Sequence, residues 1–175
     1  IAKGEIIKNT AFYFNLARFS LVNKRFGTKE TDTIVYRYAN EVAGFLQEGE
    51  CLGRLGGDNF VAIVKKERTQ DFLNFISGVK TYGMLNSQAV PITIAAVAGV
   101  MEITWELPHC GMLIEECGMA LNVAKYVTKQ PYAFSSVDMK QRFYEERQYV
   151  FRFTEAVHNK EFNAYYQPTV RHDDY

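Results

Sequence analysis

Apolar and polar positions along the chain change their period several times, and each change predicts an element. Between Ala11 and Leu16 aromatic and smaller side chains alternate, which predicts a central strand. Arg18 to Gly27 reads as a short connector ending on a glycine. From Glu30 to Gln47 the apolar residues Ile34, Val35, Tyr38, Val42, Phe45 and Leu46 recur at helical spacing and predict a long amphipathic helix. Two short apolar runs follow, Cys51 to Leu55 and Phe60 to Val64, separated by Gly56-Gly57-Asp58-Asn59. Glycine, Asp and Asn tolerate the positive φ of a tight turn, so these runs predict a β-hairpin. Asp71 to Thr81 predicts a helix with Phe72, Phe75, Ile76 and Val79 inward, and Val90 to Met101 predicts one long buried strand. His109 to Lys129 predicts a second long helix, its inner stripe formed by Leu113, Cys117, Ala120, Leu121, Ala124 and Val127. Beyond a brief strand at Tyr132 to Phe134, Ser136 is placed to cap a charged helix that reaches about His158, and Glu161 to Val170 reads as another strand. Interleaved strands and helices with one tight hairpin predict an α+β, mixed α/β fold with a mainly antiparallel central sheet flanked by helices.

Composition narrows the partners. The 175 residues are 47% hydrophobic, enough for a real core, and 20 basic side chains balance 20 acidic ones. A neutral chain is a poor fit to a nucleic-acid duplex, which selects a basic excess, although a local cluster for one nucleotide is compatible with it. Cys51, Cys110 and Cys117 lack metal-type spacing, and His109-Cys110 with Cys117 has no evident fourth ligand, so they read as reduced thiols of a cytoplasmic protein. No apolar run is long enough for a transmembrane segment. A start at Ile1 without methionine or signal peptide reads as a trimmed front edge, with whatever lies upstream, a membrane anchor included, unspecified.

Three separated blocks now match one family in order. Phe14-Asn15-Leu16-Ala17-Arg18-Phe19-Ser20-Leu21-Val22-Asn23-Lys24-Arg25-Phe26-Gly27 resembles the GGDEF pattern D-[IL]-D-x-F-K-x-[IV]-N-D-x-[YF]-G. Arg54 to Phe60 is similar to the signature R-x-G-G-D-E-F, and Ala120-Leu121-Asn122-Val123-Ala124-Lys125 to the late A-L-Y-x-A-K helix. Pro91-Ile92-Thr93-Ile94 stands where the family has its V-T-[IV]-S strand. The resemblance implies a nucleotidyl-cyclase-like fold and a place in cyclic di-GMP signalling. A family enzyme condenses two GTP into cyclic di-GMP, each half of a homodimer supplying one, with Mg²⁺ bridging the phosphates.

Applied residue by residue, the resemblance makes Asp58 and Asn59 the catalytic positions, with Asp58 and Asn15 the metal positions. Asn15, Ala17, Asp58 and Asn59 all stand where the family pattern has acids; of those four positions Asp58 alone is acidic. An amide oxygen brings no neutralising charge to a cation and alanine brings nothing, so the expected site is degenerate and Mg²⁺ binding weak or lost. The nucleotide half is better preserved. Asn23 and Asp32 match the pair that reads guanine, Gly56 and Gly57 the signature turn, and Lys125 the phosphate lysine; Lys129 stands near a usual arginine, whereas Ser20 replaces a second phosphate lysine. A purely structural reading remains beside this one: Asn23 capping a turn, Asp32 capping a helix, Lys125 a solvated charge, and Asp58 favoured by turn geometry alone. Tyr13, Phe14 and Phe60 read as core. The inhibitory R-x-x-D window falls on Gln47-Glu48-Gly49-Glu50, without its arginine, so feedback by product is not expected.

Glu161-Phe162-Asn163-Ala164-Tyr165-Tyr166-Gln167-Pro168 resembles the first strand of an EAL phosphodiesterase domain. The expected organisation is a GGDEF-like domain over 1–135, a linker helix over 136–160 and a truncated EAL-like start over 161–175. The expected role is a catalytically degenerate module, regulatory or GTP-binding, for the adjacent EAL domain. The alternatives are a weakly active diguanylate cyclase using Asp58, Asn59 and Asn15 with magnesium or manganese, and a nucleotide-independent interaction module that binds another protein or itself.

Overall fold

Strand β1 (Asn9–Leu16) is the spine of the molecule: the computed structural model, which describes residues 6–104 and 110–167, places it third in a five-stranded sheet. The sheet order is β2 (Cys51–Gly56), β3 (Asn59–Lys65), β1, β6 (Ala96–Glu102), β7 (Tyr132–Phe134). Every pairing is antiparallel except the last, β6 with β7. Two more strands, β4 (Val79–Leu85) and β5 (Gln88–Ile94), form a separate antiparallel hairpin. Among the described residues the α-helices α1 (Phe19–Phe26), α2 (Thr28–Phe45), α3 (Thr69–Ile76) and α4 (Cys110–Asn122) accompany the strands, and α5 (Val137–His158) follows them in sequence. This is the expected mixed α/β fold with a mainly antiparallel sheet between helices.

The period-2 alternation of β1 divides the core. Phe12, Phe14 and Leu16 point to one face, where they join Phe60, Val64, Ile34, Val35, Tyr38, Val42 and Phe72 in the main cluster. Ring contacts tie it together: Phe14 stacks on Phe60 at 5.5 Å and meets Phe72 edge-on at 5.9 Å. On the other face Ala11 joins Met101, Ile103, Leu113 and Cys117, with Tyr13 half-buried beside them. Gly99 allows α4 to lie this close, because a Cβ there would fall 1.8 Å from the Cys117 carbonyl oxygen and 2.3 Å from the Leu121 nitrogen.

Several expectations are corrected. Arg18 to Gly27 is mostly helix: Phe19, Val22 and Phe26 lean on the core at helical spacing, but no residue of α1 is buried, and so short an element gives little periodic signal. Helix α2 begins at Thr28 and ends at Phe45, where Leu46 turns extended. Helix α3 stops at Ile76; Gly78 intervenes and Val79 is buried from a strand. That strand turns through Asn86 and Ser87, both at positive φ (49° and 64°), into β5. The long run Val90 to Met101 is two strands in two sheets, broken at Ala95, whose carbonyl accepts from the Ala17 N–H at 2.8 Å.

Beyond Asn122 the second long helix widens into a π-helical turn, Val123–Thr128, and closes on Lys129 in the left-handed conformation (φ 54°). Leu113, Cys117, Ala120, Leu121 and Ala124 are buried as expected, but the widened turn swings Val127 into solvent. His109, expected to start this helix, lies outside the described residues.

By its internal contacts the chain divides into two units, Ile1–Lys140 and Gln141–Tyr175. Ser136 caps α5 as expected, its Oγ accepting from the Met139 N–H at 3.3 Å. In the second unit Phe162 packs on Phe153 with ring centroids 5.1 Å apart. Among the described residues 161–167 form no strand and pair with none, in contrast to the expected strand; 168–170 lie outside the described residues. Among the described residues no helix is long and apolar enough to cross a membrane.

Candidate functional site

The signature hairpin is shaped by its glycines. Gly56 (φ 143°) and Gly57 (φ 55°) occupy backbone conformations that L side chains rarely adopt, and the register slips between Arg54 and Gly56 to make room for the turn. Arg54 holds the turn from the side: its Nε and Nη2 both donate to the Gly57 carbonyl, at 2.9 and 2.7 Å. The same guanidinium lies 3.8 Å from the Asp32 carboxylate on α2, a partly exposed pair that contributes little energy but connects hairpin and helix.

Asn15, next to last in β1, faces this hairpin directly and pairs with Asn59 across the sheet. Its Nδ2 donates to the Asn59 Oδ1 at 3.1 Å and, more weakly, to the Asp58 carbonyl at 3.5 Å. Asn59 passes the chain on, its Nδ2 donating to the Gly56 carbonyl at 3.3 Å. From the other side the π-helical turn delivers Lys125, whose Nζ donates to the Asn15 Oδ1 at 2.5 Å. Four of the predicted positions, Asn15, Asp58, Asn59 and Lys125, therefore meet at one end of the sheet. The Asp58 carboxylate itself makes no hydrogen bond or ion pair among the described residues.

The residues expected to read the base stand apart from this cluster. Asn23 is in the last turn of α1, and its carbonyl accepts from the Gly27 N–H at 2.9 Å. Its side-chain Oδ1 is buried and has no hydrogen-bond partner among the described residues. Asp32 is exposed on α2. Among the described residues no hydrogen bond or ion pair joins Asn23 to Asp32, or either to Lys125. Lys129 and Ser20 are exposed, and Ala17 contributes only its backbone.

The window Gln47 to Glu50 has a different occupation from a ligand site. The Glu50 side chain is fully buried and accepts from the Gln47 N–H (2.8 Å), the Lys65 N–H (3.0 Å) and the Arg68 guanidinium. Arg68 also donates to the Phe45 carbonyl at 3.0 Å and lies over the Phe45 ring. This acid is a structural anchor for the end of α2.

Two contacts are not evident from the sequence: the Arg54 clamp and the bond from Lys125 to Asn15. Arg54 was legible as part of the signature, and its position two residues before Gly56 is the signal for a clamp. For Lys125, expected on phosphate, the signal is indirect: two acids replaced by amides beside a retained lysine.

A metal site needs hard, charged oxygens. Here the Oδ1 atoms of Asn15 and Asn59 already accept hydrogen bonds, and among the described residues no three His, Cys, Asp or Glu side chains converge. The donor set does not fit the Mg²⁺ that GGDEF domains use.

Comparison with known proteins agrees with the topology. A GGDEF-only fragment of TpbB (YfiN) from Pseudomonas aeruginosa superposes with a TM-score of 0.60 at 18% identity, over 77% of this chain and 81% of the other. An EAL/GGDEF domain protein from M. capsulatus gives 0.54 at 17% identity, over 73% and 84%. The GGDEF domain of DgcB from Caulobacter crescentus, in complex with c-di-GMP, gives 0.57 at 14%, over 73% and 76%. Likeness at such identities speaks to the fold alone. No curated protein sequence matches the chain. The family profile described as "Diguanylate cyclase, GGDEF domain" matches residues 8–130, most of the sequence, and the chain belongs to that family.

Proposed function

We propose that this domain of cyclic di-GMP signalling makes no cyclic di-GMP, and instead serves as a guanine-nucleotide-responsive regulator of an adjacent EAL phosphodiesterase domain. One observation carries the first clause: the end of the sheet where cyclase chemistry requires cation-binding acids is closed by the hydrogen-bonded chain Lys125, Asn15, Asn59, Gly56. Phosphoryl transfer of this type depends on charge neutralisation at the transferring group, so replacing carboxylates by committed amides removes its largest contribution. No step through Mg²⁺ is derived for this chain.

Support for nucleotide binding is separate. The Asn23 Oδ1 is a buried acceptor without a donor among the described residues, a state that costs about 1–3 kcal/mol and that the N–H edge of a guanine would relieve once the side chain turns outward. Asp32, bound only loosely to Arg54, supplies a second acceptor. The EAL partner rests on the string Glu161 to Pro168 and on the occurrence of the two domains together in a structural relative.

Calorimetric titration of the full chain with GTP and ATP tests this reading. GTP is expected to bind at least tenfold more tightly than ATP, and Asn23→Ala or Asp32→Ala to remove the preference. Equal affinities would refute guanine recognition, and absence of heat with either nucleotide would leave only an interaction module. A second reading, slow cyclase activity, is favoured by one fact alone, the unengaged carboxylate of Asp58; its test closes the Discussion.

A further inference from the structure

We propose that Lys125 is a resident substitute for the divalent cation: its ammonium is fixed between the end of β1 and the signature hairpin, and this excludes a metal ion from the site.

The direction of every bond in the chain is determined. A lysine ammonium has donors only, so the Asn15 atom facing it is Oδ1. That leaves Nδ2 facing two acceptors, the Asp58 carbonyl and the Asn59 Oδ1, and the second amide is then fixed with its Nδ2 on the Gly56 carbonyl. One orientation of both amides satisfies all partners. The two replacements of acid by amide are therefore complementary. A carboxylate at 15 could not donate to Asn59, and one at 59 could not donate to Gly56. Asn15 is a buried residue and Lys125 half-buried, which shields the contact from competing water.

The backbone supports the same assignment. Lys125 lies inside the π-helical turn, whose wider coil changes the facing of the residues in it. Ala124, just before, is fully buried, whereas Tyr126 and Val127 are both exposed. Lys125 is thus the residue of this turn that reaches the strand end.

A dication could still approach the second lone pair of the Asn15 Oδ1. With that oxygen 2.5 Å from Nζ and about 2.1 Å from a bound Mg²⁺, the two cations would stand at most about 4.6 Å apart. Like charges at that separation in a half-buried site repel strongly, and of the residues in this hydrogen-bonded cluster only Asp58 is acidic. Nucleotide, if bound as proposed above, would therefore be taken up without a divalent cation in this position, and that consequence alone rests on the guanine-binding reading.

The test follows the side-chain amide resonances of Asn15 and Asn59 in ¹⁵N-labelled full chain during addition of Mn²⁺, without nucleotide. In the wild type the resonances are expected to keep their line widths at stoichiometric Mn²⁺; selective broadening would overturn the proposal. A second comparison sets Asn15→Asp/Asn59→Glu against the same pair combined with Lys125→Met, with Mn²⁺ binding read by electron paramagnetic resonance. The triple variant is expected to bind at least tenfold more tightly than the double, and equal binding would overturn the proposal. The wild-type spectrum decides the matter if either variant fails to fold. A GTP titration in EDTA and in excess Mg²⁺ completes the set. Equal affinity is expected, and affinity present only with Mg²⁺ would overturn the cation-substitute proposal. Absence of binding in both media would overturn the guanine-binding reading and leave the Mn²⁺ result to judge Lys125.

Discussion

Gly99→Ala is a one-carbon change that the structure opposes strongly. The added Cβ would lie 1.8 Å from the Cys117 carbonyl oxygen and 2.3 Å from the Leu121 nitrogen. Both are backbone atoms of α4, so no side-chain rotation relieves them. Restoring ordinary contact at 3.4 Å requires the Cys117 carbonyl to retreat by about 1.6 Å, which lifts α4 from β6. A gap of even 1 Å forfeits up to half of each dispersion contact, and Leu113 and Cys117 pack against Ala11, Met101 and Ile103 across this seam. The expected loss is about 3 kcal/mol, the upper part of the range for overpacked cores. At a urea m-value of about 2 kcal/mol/M it lowers the midpoint by more than 1 M. The control is Gly44→Ala, in α2, where a Cβ meets nothing within 4 Å and φ is not left-handed. That change is expected to stabilise by about 0.5 kcal/mol through helix propensity. Urea denaturation of the three proteins by circular dichroism is the assay. A loss below about 1 kcal/mol for Gly99→Ala would refute the close approach of α4 to the sheet.

Three further outcomes follow from buried and exposed side chains. Glu50→Ala takes the ion-pair partner from Arg68 and the acceptor from two backbone N–H groups, and is expected to cost about 3 kcal/mol, read as a fall in thermal midpoint. Alkaline pH should weaken the fold. Burial, reinforced by the neighbouring Glu116, pushes the Cys117 thiol from its ordinary 9.0 up to about 12. Its stabilising contribution is complete below pH 9 and is lost as pH rises toward 12, because the unfolded chain releases its proton first. Tyr38, raised by burial above its ordinary 10.0, adds to the same loss. Cys117→Ala should reduce the slope of stability against pH in that window; an unchanged slope would contradict the burial argument. At neutral pH a thiol reagent should label the exposed Cys51 and spare Cys117 until the protein unfolds.

What the sequence made legible depended on signals that are local and chemically specific. The signature hairpin was readable because Gly56 and Gly57 permit backbone angles that few other residues accept, and β1 because an apolar, aromatic-rich run of strand length stands between polar residues. The β4–β5 hairpin was not: its turn residues, Asn86 and Ser87, include no glycine, yet both take positive φ. The division at Ala95 was invisible because an apolar run is the same whether one strand or two lie within it. At the site, single positions could be matched to the family, but the contact between Lys125 and Asn15 joins residues 110 apart in sequence and depends on a π-helical turn. Sequence matching placed Lys125 on a phosphate, and folding placed it on the amide that replaces an acid.

The central claim, that this GGDEF domain has no cyclase turnover, is tested most directly by incubating the full chain with millimolar GTP and either Mg²⁺ or Mn²⁺, with cyclic di-GMP measured by mass spectrometry. No product is expected above the no-protein control with either metal. Cyclic di-GMP that accumulates with time, and that disappears in Asp58→Ala, would contradict it.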